Sequence, residues 1–156
     1  MTSRFPALRR LAYLLIGDWT EAEDVVQDAL VRCERRWGRI AAEEPDAYVR
    51  RAVVNGASNW RRQRRVELSL AAASALTMDH AAATDSRLML LEALRRLPVD
   101  QRQVLVLRFF EQLSENETAR ALEIAPGTVK SRTSRGLEAL RRAGLTAQSH
   151  RTESTS

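Results

Sequence analysis

Cysteine is almost missing from this sequence: Cys33 stands alone among 156 residues, which excludes an intramolecular disulfide and a cysteine-based zinc site. The two histidines, His80 and His150, sit far apart in weakly patterned stretches, so no metal centre is expected. Glycine and proline are scarce, with 6 and 4 copies, and aromatic residues make up 5%. No segment alternates apolar and polar residues for long enough to read as a half-buried strand, which removes sheet folds. Nor does any apolar run approach the roughly 18 residues that a membrane span requires. The N-terminus shows no apolar core followed by a cleavage site, and a cytoplasmic chain without membrane attachment is expected. Lysine is nearly absent too. Lys130 is the only one among 25 basic residues.

What remains is rich in leucine, alanine and arginine, which are helix formers. Hydrophobic residues reach 44%, enough for folding. An all-α protein follows. The length suits one ordinary domain or two very small ones, and two small ones would each have a thin core that a partner completes. The net charge of +5 suits an anionic partner. Arginine's planar fork matches phosphates and guanine edges, although a GC-rich genome produces the same bias.

Along the chain, Phe5, Leu8, Leu11, Ala12 and Leu15 fall at helical spacing, and Gly17-Asp18 punctuates. Thr20-Glu21-Ala22-Glu23 matches a capping box that opens a second helix. Its inner stripe is Ala22, Val25, Val26, Ala29, Leu30, Cys33 and Trp37, so Cys33 reads as a small core residue. A polar loop at 38–45 ends in Pro45, which suits a first helical turn. The next helix, Asp46 to about Arg65, carries Val49, Val53, Ala57 and Trp60 on one face and closes on Arg61, Arg62, Arg64 and Arg65. Those arginines either complement the helix dipole or meet an anionic partner. Residues 66–85 lose periodicity, turn to Ala and Ser, and read as a flexible linker. Helices resume over Ser86–Leu97 and Asp100–Glu111, the latter with Val104, Leu105, Leu107 and Phe109-Phe110. The polar residues 146–156 read as a disordered tail.

The most specific pattern lies in the C-terminal third. Ser114-Glu115-Asn116-Glu117 is a second capping box, opening a helix that buries Thr118, Ala119 and Leu122. A tight connection at Glu123-Ile124-Ala125-Pro126 leads into a second helix near Gly127-Thr128, as in a helix-turn-helix. At about 100° per residue, Val129, Thr133, Leu137 and Leu140 share one face. Thr128, Ser131, Ser134 and Arg135 point away, with Lys130 and Arg132 flanking. Short polar groups thus lie where base edges would be, and cations where phosphates would be. An ordinary amphipathic hairpin with a solvated face is the alternative. Between Arg120 and Arg142, six basic residues oppose only Glu123 and Glu138, which favours DNA.

Here a family resemblance enters. Arg95-Arg96-Leu97-Pro98-Val99-Asp100-Gln101-Arg102 and Val104 to Phe110 resemble the start of a sigma-4 domain. Leu113-Ser114 through Gly127-Thr128-Val129-Lys130-Ser131-Arg132 resembles its helix-turn-helix. Leu14-Leu15-Ile16-Gly17-Asp18 and Ala22-Glu23-Asp24-Val25-Val26-Gln27-Asp28 resemble the polymerase-binding part of sigma-2. Ala47-Tyr48-Val49-Arg50-Arg51 and Asn55 to Arg65 resemble its promoter-reading helix. The sequence is similar to extracytoplasmic-function RNA polymerase sigma factors of the sigma-70 superfamily, with Tyr13 to Trp37 resembling the actinobacterial SigE family. Asn116 and Thr118 depart from it, standing where bulkier or aliphatic residues are more usual.

The resemblance implies two small helical domains, sigma-2 at 1–65 and sigma-4 at 86–145. It implies that Glu23, Asp24, Val26, Gln27 and Asp28, with the outer face up to Arg35, dock on the β′ clamp coiled coil of core RNA polymerase. Asn55, Ser58 and Asn59 would bond exposed bases of the −10 element, with Arg61, Arg62, Arg64 and Arg65 on its backbone. Trp60 would stack on a base or pack in the core, and the 38–45 loop lies where relatives capture a flipped base. Thr128, Lys130, Ser131, Arg132 and Arg135 would read the −35 duplex, while Val104 to Phe110 would hold the β flap. Promoter DNA, core polymerase and an anti-sigma factor are the implied partners, with no cofactor. A catalytic pairing among Glu21, Glu23, Asp24 and Asp28 lacks a pocket, metal or nucleophile, so no enzyme is expected. A stand-alone dimeric helix-turn-helix regulator leaves residues 8–65 unexplained, and a protein-binding adaptor leaves the Lys130–Arg135 face unexplained.

Overall fold

The computed structural model describes residues 4–40, 44–70 and 85–144, with side chains at 4–40, 44–64 and 87–144. The interior of the expected linker, 71–84, and the expected tail lie outside those residues. The chain divides into two compact units, residues 1–80 and 81–156. Every regular element among the described residues is helical, as composition and periodicity predict.

The first unit holds α1 (Phe5–Ile16), α2 (Trp19–Arg35), the short α3 (Trp37–Ile40) and α4 (Pro45–Leu70). Its core follows the expected stripes, with Ile16 and Val54 added and Phe5, Leu8, Leu30 and Trp60 only half-buried: Leu11, Ala12, Leu15 and Ile16 from α1; Ala22, Val25, Val26, Ala29 and Cys33 from α2; Val49, Val53, Val54 and Ala57 from α4. Three details differ from expectation. Asp18, not Thr20, caps α2, its carboxylate accepting the Glu21 N–H at 3.0 Å. The backbone is already extended at Asp18, and a carboxylate there satisfies an orphan donor and suits the positive helix end. Second, α2 stops at Arg35, so Trp37 leaves the inner stripe. It opens α3 as an exposed residue, and Ile40 takes the buried place instead. Third, α4 continues to Leu70, five residues into the expected linker. Nothing from Arg61 to Leu70 is glycine or proline, and extending an existing helix costs far less than starting one.

The second unit holds α5 (Asp85–Arg96), α6 (Val99–Leu105), a π turn (Val106–Phe110), α7 (Glu115–Leu122) and α8 (Pro126–Arg142). Arg102 is 1% exposed, and its Nε donates to the Leu94 carbonyl, tying the end of α5 to α6. Val104, Leu105, Val106 and Leu107 are all buried. Four consecutive buried residues exceed the stripe that one α-helical face presents. The α-helix expected through Glu111 accordingly widens to a π turn, with the Glu111 N–H donating to the Val106 carbonyl at 3.1 Å.

The helix-turn-helix forms as its sequence requires. Ser114 Oγ accepts the Glu117 N–H at 3.1 Å, and the Glu117 carboxylate accepts the Ser114 N–H at 2.8 Å. Glu123 turns the chain with φ of 56°, and Val104, Ala119 and Val129 close the core with Leu122 and Ile124.

Two positions make the packing testable. Thr118 is fully buried and its hydroxyl has no partner, so Thr118→Val should stabilise the second unit by about 1 kcal/mol. A Cβ at Gly136 would lie 2.8 Å from Leu105 Cδ1, and Leu105 is itself buried. Gly136→Ala should therefore destabilise: overpacking costs about 1–3 kcal/mol, against a helix-propensity gain of at most about 1 kcal/mol. Denaturation midpoints moving the other way would refute each assignment.

Candidate nucleic-acid interface

In the first unit, Cys33, Ile40 and Val49 form one apolar cluster with Leu8, Leu30, Tyr48 and Ala52 packed against it. This pairing holds the last turns of α2 beside the first half of α4. Residues flanking the seam open outward and line a cleft of about 580 Å³: Arg32, Arg35, Arg36, Tyr48, Arg51, Ala52 and Asn55. The Arg36 guanidinium reaches the Tyr48 hydroxyl at 3.5 Å. Four guanidiniums share this wall with no carboxylate among the lining residues, which focuses a positive potential in a concave surface. On α4 the same face continues at helical spacing through Asn59 and Arg62, both exposed.

The expected −10 residues are thus divided. Asn55, Asn59 and Arg62 are exposed along the cleft-bearing face, whereas Ser58 and Arg61 are half-buried one position round the helix. Ser58 Oγ donates back to the Val54 carbonyl at 3.0 Å. The Arg65 side chain and loop residues 41–43 lie outside the described residues. Arg32 and Arg36 were not named as site residues, Tyr48 and Arg51 were placed on the promoter-reading helix without a role, and Arg35 was expected on the polymerase-docking face. Their signal was present as stripes, Arg32-x-x-Arg35-Arg36 and Tyr48-x-x-Arg51-Ala52-x-x-Asn55.

On the outer face of α2, Asp24, Gln27 and Asp28 are exposed, and the exposed Val31 extends them. Glu23 is half-buried and pairs with Arg9 at 3.6 Å. Val26 corrects the expected polymerase-docking set: it is fully buried, because the stripe through Ala22, Val25, Val26 and Ala29 faces the core and leaves it no outer surface.

In the second unit, Val129 and Gly136 turn α8 inward. Lys130, Ser131, Ser134 and Arg135 are exposed, and Thr128 and Arg132 are half-buried. Ser131 Oγ donates to the Thr128 carbonyl at 3.1 Å, leaving its lone pairs to accept from a ligand. Arg132 Nε lies 3.5 Å from Asp100 Oδ2 on α6, so its charge is shared within the protein. The expected Val104–Phe110 docking surface contracts. Val104 to Leu107 belong to the core, and only Phe109 and Phe110, 51% and 44% exposed, remain available to a partner. Arg108 Nη1 donates to the Leu113 carbonyl at 2.7 Å, bracing the chain just beyond them.

Among the described residues no group of three or more His, Cys, Asp and Glu is placed to hold a metal ion. No described helix is long and apolar enough to cross a membrane.

Comparison with known proteins agrees with this architecture. Residues 2–66 match Sigma-70 region 2, and residues 87–140 match Sigma-70, region 4. The chain is 41% identical over 146 residues to the RNA polymerase sigma-E factor of Streptomyces avermitilis, covering 89% of this chain and 79% of that protein. It is 31% identical over 137 residues to the ECF RNA polymerase sigma factor SigM of Mycobacterium tuberculosis, covering 86% and 70%. The solved structure of the sigma factor RpoE in complex with the anti-sigma factor NepR, from Bartonella quintana, superposes with a TM-score of 0.69 at 27% identity, covering 89% of this chain and 90% of that one. Fold and site together define a promoter-recognising transcription initiation factor. The chain belongs to the sigma-70 family, in its extracytoplasmic-function branch.

In the Cys33–Ile40–Val49 cluster, burial pushes the Cys33 thiol above its ordinary pKa, with the Arg32 charge opposing the shift. A buried, protonated thiol is a poor nucleophile. Iodoacetamide at pH 8 should leave native Cys33 unmodified and label it once urea unfolds the unit. Rapid labelling without denaturant would show that the α2–α4 seam opens in the native state.

Proposed function

We propose that this chain binds core RNA polymerase and directs it to promoters by reading a −10 element with residues 1–65 and a −35 element with residues 86–145. The arginine-lined cleft at the head of the α4 face carries the −10 assignment. Asn55 and Asn59 offer amides to exposed bases, and Arg62 meets the backbone together with Arg61 and Ser58 at the edge of the face. The cleft is large enough for one extruded base against Tyr48, with Arg32, Arg35, Arg36 and Arg51 on neighbouring phosphates. Extrusion is cheapest from a strand already open.

Asp24, Gln27 and Asp28, with Glu23 at one edge and Val31 at the other, offer a charged surface with an apolar edge to the β′ clamp coiled coil. Phe109 and Phe110 offer the aromatic contact for the β flap. Thr128, Lys130, Ser131 and Arg135 read the −35 duplex in the major groove, and Arg132 contributes from the flank. Two weak footprints on one chain gain from effective concentration, so neither domain needs to bind DNA tightly alone. An anti-sigma factor is a fitting inhibitor, since the RpoE relative was solved with one. The protein acts in the cytoplasm, without a cofactor or chemistry of its own.

The test is reconstitution with core RNA polymerase on a library of genomic promoter fragments, with the transcripts sequenced. Discrete start sites sharing two spaced motifs are expected. Arg135→Ala should lower initiation about tenfold or more and relax one position of the upstream motif, as loss of a base contact does. Arg132→Ala should have the smaller effect, because Asp100 already shares its charge. Arg36→Ala with Arg51→Ala should weaken −10 use without changing the upstream motif. No promoter-specific initiation from any fragment would overturn the proposal.

A further inference from the structure

Trp60 is half-buried, and its polar edge has a partner within the protein. Ala57 is the last fully buried residue of α4 among the described side chains. Beyond it the helix carries Arg61, Arg62 and Arg64 and continues to Leu70, about 15 Å past Trp60 at 1.5 Å per residue. At this junction the half-buried Trp60 donates its indole Nε1–H to Glu21 Oε2 at 2.8 Å. The Arg64 guanidinium lies 5.7 Å from the centroid of the Trp60 ring. The ring is therefore tied at its polar edge and flanked by a cation.

Glu21 is itself well fixed. Its backbone N–H donates to the Asp18 cap at 3.0 Å, so the carboxylate projects from a rigid first turn of α2. It does not line the cleft, and it lies outside the exposed Asp24–Gln27–Asp28 face. Its carboxylate accepts from Trp60, and a hydrogen bond to a carboxylate is stronger than one between neutral groups. Beyond this junction Arg62 and Arg64 are exposed, and a small tilt of the helix at Trp60 shifts both guanidiniums.

We propose that the Glu21–Trp60 hydrogen bond aims the basic end of α4 at promoter DNA, making Glu21 a positioning residue for −10 contacts that it does not itself make. The proposal rests on the assignment of α4 as the −10 helix. Its sign separates it from simple electrostatics. Removing an acid beside a DNA-binding surface strengthens binding when charge alone matters; removing an aiming carboxylate weakens it.

The experiment uses the full chain reconstituted with core RNA polymerase on a promoter recovered by the transcript selection. It measures the fraction of promoter in heparin-resistant open complex and, separately, affinity for core enzyme. Glu21→Ala should lower open-complex formation about tenfold, the weight of one charge-assisted hydrogen bond, with core affinity unchanged. Trp60→Phe keeps an aromatic ring beside Arg64, smaller than the indole and without its donor; it should reproduce the defect. Glu21→Gln keeps an acceptor and should recover most of the activity, and Glu21→Ala with Trp60→Phe should be no worse than either alone. The proposal fails if Glu21→Ala leaves opening unchanged or raises it, if core affinity falls in parallel, or if Trp60→Phe matches the wild type. Arg62→Ala is the control for the underlying assignment. If it leaves opening intact, the −10 role of α4 is what has failed, and the aiming role falls with it.

Discussion

Along the seam between α2 and α4, small and β-branched residues let two helix backbones come close. Gly56 sits on that line, where a Cβ would lie 3.0 Å from Val25 Cγ1, and Cys33, Ile40 and Val49 close the far end as one cluster. The rest of the first unit depends on this contact. It buries no charge, yet it determines which charges meet, since it brings Arg32, Arg35 and Arg36 to one cleft with Arg51 of α4. Close packing of this kind transmits small changes in volume, because interiors leave few voids to absorb them.

The charge arrangement is asymmetric in a way that suits a factor acting between a protein and DNA. Glu23, Asp24 and Asp28 lie in the first ten residues of α2, whereas Arg32 and Arg35 close the helix and Arg36 follows it, with Glu34 the one acid among them. Acids near a helix N-terminus and cations near its C-terminus are each favoured by the backbone dipole. A helix charged in this order does not oppose its own stability, and on the reading proposed above its two ends serve polymerase and DNA. The like-charged wall of the cleft is tolerable in the free protein because the arginines remain largely in water, where screening is strong.

The second unit shows what a thin core gives up. It buries Arg102, held through its Nε by the Leu94 carbonyl, and the partnerless hydroxyl of Thr118. It also leaves Phe109 and Phe110 in solvent. Exposed paired aromatics on a small unit are costly when it stands alone and useful when a partner covers them. The same unit commits Lys130 and Arg135 to the outside while drawing Arg132 toward Asp100, so neighbouring cations on one helix differ in what they can offer to DNA.

By itself the sequence determined the all-helical class, the stripes that become the cores, the Ser114–Glu117 capping box and the helix-turn-helix. Each of these follows from short-range rules of spacing and hydrogen bonding. Tertiary structure decided whatever depended on which faces meet. It placed Val26 in the core and the Arg32–Arg36 stripe opposite Tyr48 and Arg51. It also joined Trp60 to Glu21, 39 residues away, and Arg132 to Asp100, and exposed Phe109 and Phe110 through a π turn. Helical periodicity says that two residues share a face, but the partner of that face is set by how helices distant in sequence pack.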